Sequence, residues 1–180
     1  MKRITLALLP KDASKDELLA VDIIARSAFD EQGFCAESEI QKPWARIWTA
    51  RAGASEMDAP VAVLIAWHVA DELHILNVAT AEERRREGFG ARLIECAVDY
   101  ASKEDIRLLL LEVRKSNQPA IRLYRKFGFS IMGIRPRYYA VGDEDALLMM
   151  LALDPVTRRP VLGSDEIRID DDGESGRSKL

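Results

Sequence analysis

Arg85-Arg86-Glu87-Gly88-Phe89-Gly90 closes a polar run, residues 80–87, and opens a stretch with helical spacing, and the reading of this junction decides the fold. Upstream, residues 73–79 read as a strand. Downstream, Leu93, Ile94, Ala97, Val98 and Ala101 recur at the period of one helix face. Glycines between a strand and a helix let backbone N–H groups turn toward a ligand with no Cβ in the way. The unpaired amides of the helix start and the positive end of its dipole then suit an anion such as a pyrophosphate. Arg84, Arg85 and Arg86 add positive charge, offset by Glu82, Glu83 and Glu87. A solvated basic run before an ordinary helix is the plainer alternative, and the segment by itself does not choose. It is not a dinucleotide fingerprint, because Leu93 stands where a third glycine is needed, and no Gly-Lys-Ser/Thr follows as in a Walker A loop.

Working outward, residues 2–9 read as a strand and 15–29 as a helix, with Leu18, Leu19, Val21, Ile24, Ala25 and Phe29 at helical spacing and Ser14 as N-cap. A short second helix and a loop fall within 31–43, and a strand within 45–50. The nearly unbroken apolar run 61–70 reads as a strand covered on both faces. It turns at Asp71-Glu72 into the strand 73–79. Residues 107–113 read as another buried strand. Residues 118–127 read as a helix with Pro119 in its first turn, ended by Gly128. Strands at 130–134 and 146–153 complete the order β-α-α-β-β-β-α-β-α-β-β, an α/β layer architecture.

The 180 residues suit one domain, and 48% apolar side chains suffice for a core. A net charge of −4 argues against nucleic acid as the main ligand. No apolar stretch is long enough to span a bilayer, and none behind Lys2 and Arg3 resembles a secretory signal, so a cytoplasmic protein with no membrane partner is expected. Cys35 and Cys96 lack disulfide or metal spacing, and His68 and His74 have no companion ligands, so reduced thiols, structural histidines and no metal are expected. From Asp154 onward prolines, glycines and the acid run Asp170-Asp171-Asp172 replace large apolar residues, so 1–153 is taken as the domain and 154–180 as a disordered acidic tail. Its final Ser178-Lys179-Leu180 has the form of a peroxisomal address, or of a chance ending.

The residues around the junction resemble those of a known family. Arg85 to Gly90 is similar to the R/Q-x-x-G-x-G/A motif of the GNAT N-acetyltransferases. Leu111-Glu112-Val113-Arg114-Lys115-Ser116-Asn117, continuing through Ala120, Leu123-Tyr124 and Gly128-Phe129, resembles the L-E-V-R-x-S-N-x-x-A-x-x-L-Y-x-x-x-G-F block of its RimI-like branch, the ribosomal-protein alanine N-acetyltransferases. Arg137-Tyr138-Tyr139, Glu144-Asp145-Ala146 and Met149 resemble the ending of the same branch. The similarity runs through residues 73–153 and is weak before them; Phe34, Cys35, Trp44 and Trp48 match no substrate-side loop of the branch.

The resemblance implies a GNAT fold, with a mostly antiparallel central sheet flanked by helices, and acetyl-coenzyme A as acetyl donor. The amides of Arg85, Arg86, Glu87, Gly88, Phe89, Gly90 and Ala91 would hold its pyrophosphate, Val78, Ala79 and Thr80 its pantetheine, and Asn117 a further contact. The Val78 N–H would anchor the thioester carbonyl. Glu112 would be the general base, directly or through water, and Tyr124 the acid for the leaving thiolate. A solvated strand-end carboxylate and a core aromatic are the plain readings of those two residues. Tyr138, Tyr139 and Asp145 would border the slot for the acceptor, or the two tyrosines alternate across a strand without selectivity. The acceptor implied is the N-terminal α-amine of a protein, of ribosomal type and starting with Ala or Ser. A small-molecule amine, a lysine side chain, or a non-catalytic sensor of acetyl-coenzyme A remain the alternatives.

Overall fold

A computed structural model of the chain describes residues 3–27, 34–53 and 58–166. Phe29 at the expected end of the first helix, residues 54–57 of the expected turn, and the Asp170 and Ser178-Lys179-Leu180 segments lie outside the described residues.

β1 (Ile4–Leu8) leads into α1 (Lys15–Arg26), where Ser14 and Glu17 form a reciprocal capping box. Leu18, Val21, Ile24 and Ala25 are the buried stripe of α1. The short α2 (Ala36–Gln41) precedes the antiparallel run β2 (Ala45–Ala52), β3 (Pro60–Val69) and β4 (Glu72–Thr80). A 3-10 turn over Glu82–Arg84 leads to α3 (Phe89–Lys103), then β5 (Leu108–Arg114), α4 (Gln118–Lys126), β6 (Ser130–Tyr139), β7 (Glu144–Leu153) and β8 (Pro160–Val161). The sheet order is β1-β2-β3-β4-β5-β7-β6, with β8 on β7, and every pairing is antiparallel except β4 with β5. This is the mostly antiparallel sheet flanked by helices that the resemblance implies.

The sheet carries a core on each face. Leu64, Phe89, Leu93, Ile94, Leu109, Leu111 and Leu147 pack under α3 and α4. Leu18, Val21, Ile24, Ile40, Ile47, Val63 and Ile65 pack under α1 and α2. A register shift in the β3–β4 pair leaves Leu76 as an extra residue between Ile75, opposite Ala66, and Asn77, opposite Ile65. A bulge of this kind reverses which side chains face which layer. Leu73 and Ile75 therefore join the α3/α4 core, while Ala79 joins the α1/α2 core.

The chain departs from the expected loose tail in its first part. Val161 and Pro160 pair with Ala152 and Leu153, and Asp165 accepts from the Ile131 N–H at 2.9 Å while pairing with Arg125 at 2.6 Å. Glu166 N–H donates to Ile131 O, and Arg158 pairs with Asp105. Gly163 passes so close that a Cβ there would meet Ser130 Oγ at 2.5 Å. Apolar content is a poor guide here because backbone and charge contacts fasten the segment: Val156 and Leu162 stay more than 80% exposed. The body thus reaches Glu166 rather than ending at Leu153.

Candidate active site

β4 and β5 are in register from Glu72↔Leu108 to Ile75↔Leu111 and then part. β4 runs on to Thr80 along β3, and β5 runs on to Arg114 along β7. The parting begins at the Leu76 bulge and opens a wedge between two strands of one sheet. A cavity of about 290 Å³ fills it, lined by Asn77, Val78, Glu112, Asn117, Tyr124 and Tyr139 among others. A wider groove of about 660 Å³ adjoins it, shares Asn77, Glu112, Tyr138 and Tyr139, and extends to Phe34, Glu39 and Trp67. Because strand side chains alternate, Leu111 and Val113 enter the α3/α4 core while Glu112 turns to the other face. Tyr124, on α4, belongs to the α3/α4 core. The two residues expected to act as base and acid thus border one opening from opposite faces.

Glu112 is three-quarters buried at the side chain and receives Arg135 Nη1 at 2.7 Å. Glu112, Leu148 and Gly133 stand in one row across β5, β7 and β6, and Arg135 lies two residues further along β6. Arg135 also packs over the Tyr138 ring at 5.5 Å from its centroid. Sequence reading missed Arg135, because the pairing depends on β7 inserting between β5 and β6. Glu39 was missed as well: it is buried at 7% exposure, accepts from Trp67 Nε1 and pairs with Lys42 at 2.6 Å.

Tyr124 is buried, its ring tilted against Phe129 at 5.8 Å. Burial, and then the nearby Tyr139, push its hydroxyl far above the ordinary tyrosine range, so it holds its proton at any working pH. Tyr139 is pushed up to about 12, by burial first and then by the charge of Glu112. Tyr138 and Tyr139 meet edge to face at 5.2 Å and both border the opening, rather than dividing between core and solvent. Arg114 lies over Tyr139 at 4.0 Å and pairs with Glu144 at 3.4 Å. Glu144 in turn accepts from the Ser116 N–H at 2.7 Å, which holds its carboxyl below the usual range against the opposing effect of burial. The β6–β7 turn is thereby fastened to the end of β5. Asp145 points its carboxylate at its own hairpin, accepting from the Arg137 N–H at 2.9 Å, and does not line the opening.

Asn117 is the N-cap of α4, its Oδ1 accepting from the Ala120 N–H at 3.2 Å, and it borders the cavity. Val78 borders it too, on a stretch of β4 whose outer edge β5 has left. Ala79 is buried in the α1/α2 core, and Thr80 ends the strand, its carbonyl accepting from Arg85 Nε at 3.4 Å. Gly88 caps α3 at φ +91°, a left-handed value, and a Cβ there would meet nothing within 4 Å. With no side-chain oxygen at this cap, the amides of Phe89, Gly90 and Ala91 lie at an open helix start. Arg84 pairs with Glu87 at 3.0 Å and covers Phe89, so Glu87 is part of the loop's own scaffold. Arg86 takes φ +64°.

Outside this region the thiols of Cys35 and Cys96 are free, and burial raises that of Cys96. His68 bonds Tyr100 and the Ala70 carbonyl, and His74 bonds Glu72. Among the described residues no three His, Cys, Asp or Glu side chains converge as a metal site, and no helix is long and apolar enough to cross a membrane.

A parted β4–β5 pair, a glycine-capped helix after β4 and an opening bordered by Glu112 and Tyr124 thus lie together in one part of the fold. The chain belongs to the acetyltransferase (GNAT) family, whose pattern matches residues 19–129. It is similar to the ribosomal protein bS18-alanine N-acetyltransferase of Escherichia coli K12, 40% identical over 87 residues that cover 47% of this chain and 59% of that protein. It is 44% identical over 87 residues to a Bacillus subtilis protein provisionally given the same name, covering 48% of this chain and 58% of that one. The chain therefore spans under two thirds of the length of these curated relatives. The crystal structure of the Escherichia coli ribosomal-protein-S18-alanine N-acetyltransferase superposes with a TM-score of 0.69, at 26% identity, over 93% of this chain and 100% of that one. The family and the RimI-like similarity expected from the motifs are borne out.

Proposed function

We propose that the protein transfers the acetyl group of acetyl-coenzyme A to the N-terminal α-amine of a protein, in the cytoplasm, with a ribosomal-type, Ala- or Ser-starting chain as acceptor. The observation that carries this reading is the single opening bordered by Glu112 from one face of the sheet and by Tyr124 from the other. The residues present fit the donor. The open cap at Gly88 offers amides to a pyrophosphate, and the empty space beyond its Cα leaves room for one. Asn117 and Val78 border the path toward the opening. The names of the similar proteins support the acceptor class.

In this reading the acceptor's ammonium enters the groove of Phe34, Trp67 and Tyr138 and displaces Arg135 from Glu112. Glu112 takes one proton, and the freed lone pair attacks the thioester carbon. The Val78 N–H stabilises the oxyanion. Collapse breaks the C–S bond, and Tyr124 gives its proton to the departing thiolate. Because tyrosinate is so disfavoured in that buried site, Tyr124 regains a proton as the attacking nitrogen loses its second one. An α-amine suits a carboxylate base: at pH 7 about one in seven is already neutral, against about one lysine in 2,500.

The test is turnover with Ala-, Ser-, Leu- and Lys-starting peptides, an N-terminally blocked peptide carrying lysine, and spermidine. The Ala and Ser peptides are expected to be fastest. Faster turnover of the blocked peptide or of spermidine defeats the α-amine reading.

A further inference from the structure

Asn77 stands where β4 and β5 part, and it borders both the cavity on the Tyr124 side and the groove on the Glu39 side. It is 7% exposed. Its pairing opposite Ile65 turns it to the α1/α2 face, the same face as Glu112. Among the described residues, Asn77 Oδ1 is the one buried side-chain oxygen or nitrogen without a hydrogen-bond partner. Every other buried polar side chain among the described residues is engaged: Glu39 by Trp67, Thr49 by Arg51, Arg51 by Glu17 and Ser130 by the Met132 sulfur. An orphaned buried acceptor is costly, and an apolar side chain of the same shape would be neutral or better for the fold. A buried, unpartnered acceptor beside this opening calls for a ligand, and an acceptor oxygen calls for an N–H or O–H.

We infer that Asn77 Oδ1 accepts a hydrogen bond from the amine of the acceptor substrate and, with Glu112, orients its lone pair toward the thioester. The inference rests on the reading of Glu112 as the base that receives that amine. A neutral primary amine has two N–H bonds and one lone pair. With one N–H held by Asn77 and the other side facing Glu112, the lone pair is left to point through the opening, toward the Val78 and Tyr124 side. An amide is suited to this task because it never takes the proton itself, at any pH. The requirement for two N–H bonds selects primary over secondary amines.

The experiment measures kcat/KM for an Ala-starting peptide and for the same peptide with N-methylalanine first, in the wild type, Asn77→Leu and Asn77→Ala, with KM for acetyl-coenzyme A and the melting temperature alongside. Loss of a hydrogen bond to a charged or proton-exchanging group is worth about 10-fold or more in acceptor kcat/KM. Both variants are expected to lose that much, to keep the wild-type KM for acetyl-coenzyme A, and to compress the preference for the primary amine. Asn77→Leu is expected to melt no lower than the wild type. The alanine variant, which adds no bulk, guards against a steric effect of leucine. Wild-type acceptor kinetics in either variant overturn the inference, as does a melting temperature many degrees lower in Asn77→Leu with both KM values raised. If the wild type acetylates no α-amine, the function proposed above fails instead. The same variants are then measured with the primary amine it does use, where unchanged kinetics overturn the role of Asn77.

Discussion

The two faces of the sheet meet at one opening but are held together by different means. On the α3/α4 face the opening is backed by Leu93, Ile94, Leu109, Leu111 and Ile121, fully apolar and nearly inaccessible to water. On the α1/α2 face, charged pairs do much of the fastening: Arg51 with Glu17, Lys42 with Glu39, Arg135 with Glu112. Apolar packing is close and rigid, and it backs the side on which the proposed function seats the donor. Charged pairs can be exchanged for a ligand's charge, which suits the side on which the proposed function brings in an ammonium. On the proposed function, the difference places donor binding in the backbone of a helix start and acceptor binding in side chains.

The largest expected effect lies on the donor side. Gly88→Val with Gly90→Val should abolish acetyl-coenzyme A binding in calorimetry, while the fold loses only about 1–2 kcal/mol for a side chain at a left-handed φ. The Cβ of residue 90 would make ordinary contact with Leu123 at 3.4 Å, and a melting curve beside the calorimetry checks that the body stays folded. Unchanged affinity would remove the pyrophosphate from this helix start. Next, Glu112→Gln should lower turnover about 100-fold without changing donor affinity. That deficit should shrink as pH rises and the amine deprotonates unaided; a loss constant across pH would reduce Glu112 to a positioning group.

Smaller still, Glu17→Ala should destabilise the fold by about 2 kcal/mol in urea unfolding, because it strands a guanidinium that is 2% exposed and also removes a helix cap. A change of a few tenths would mean that Thr49 and the Asp58 carbonyl satisfy Arg51 alone. The smallest effect is that of pH on Tyr139. Its hydroxyl, near 10 when unfolded and about 12 when folded, contributes stability that is whole below pH 10 and fades as pH climbs from 10 toward 12. Tyr139→Phe should fade less than the wild type in alkaline unfolding curves, with the part due to Tyr124 left in place, and curves that superpose on the wild type would assign the fading to other groups.

The same contrast governs what the sequence could disclose. Gly88 and Asn117 were legible because caps and loops are local: a left-handed glycine before a helix, or an asparagine ahead of Pro119, acts within a few residues. The element order was legible from periodicity. Arg135 at Glu112 was not, since the pair forms only once β7 has come between β5 and β6. Trp67 over Glu39 likewise joins residues 28 apart through the packing of α2 on the sheet. Asp145 carries an acid in the expected motif, yet its carboxylate is spent on the Arg137 amide, a geometry that no motif encodes. The segment from Asp154 to Glu166 misled by its scarcity of large apolar side chains, because its anchors are Asp165, Arg158 and backbone pairings.

The claim that a donor and an α-amine meet through one opening is tested most directly by calorimetry with two conjugates. In one, coenzyme A is joined through an acetyl bridge to the α-nitrogen of an Ala-starting peptide; in the other, the bridge joins a lysine side chain of a blocked peptide. The account predicts that the α-linked conjugate binds about 100-fold or more tightly than coenzyme A alone, since one molecule then fills both sides of the opening and pre-empts the cost of bringing two together. The lysine-linked conjugate should gain far less. Equal affinity of the α-linked conjugate and free coenzyme A, or tighter binding of the lysine-linked one, would contradict it.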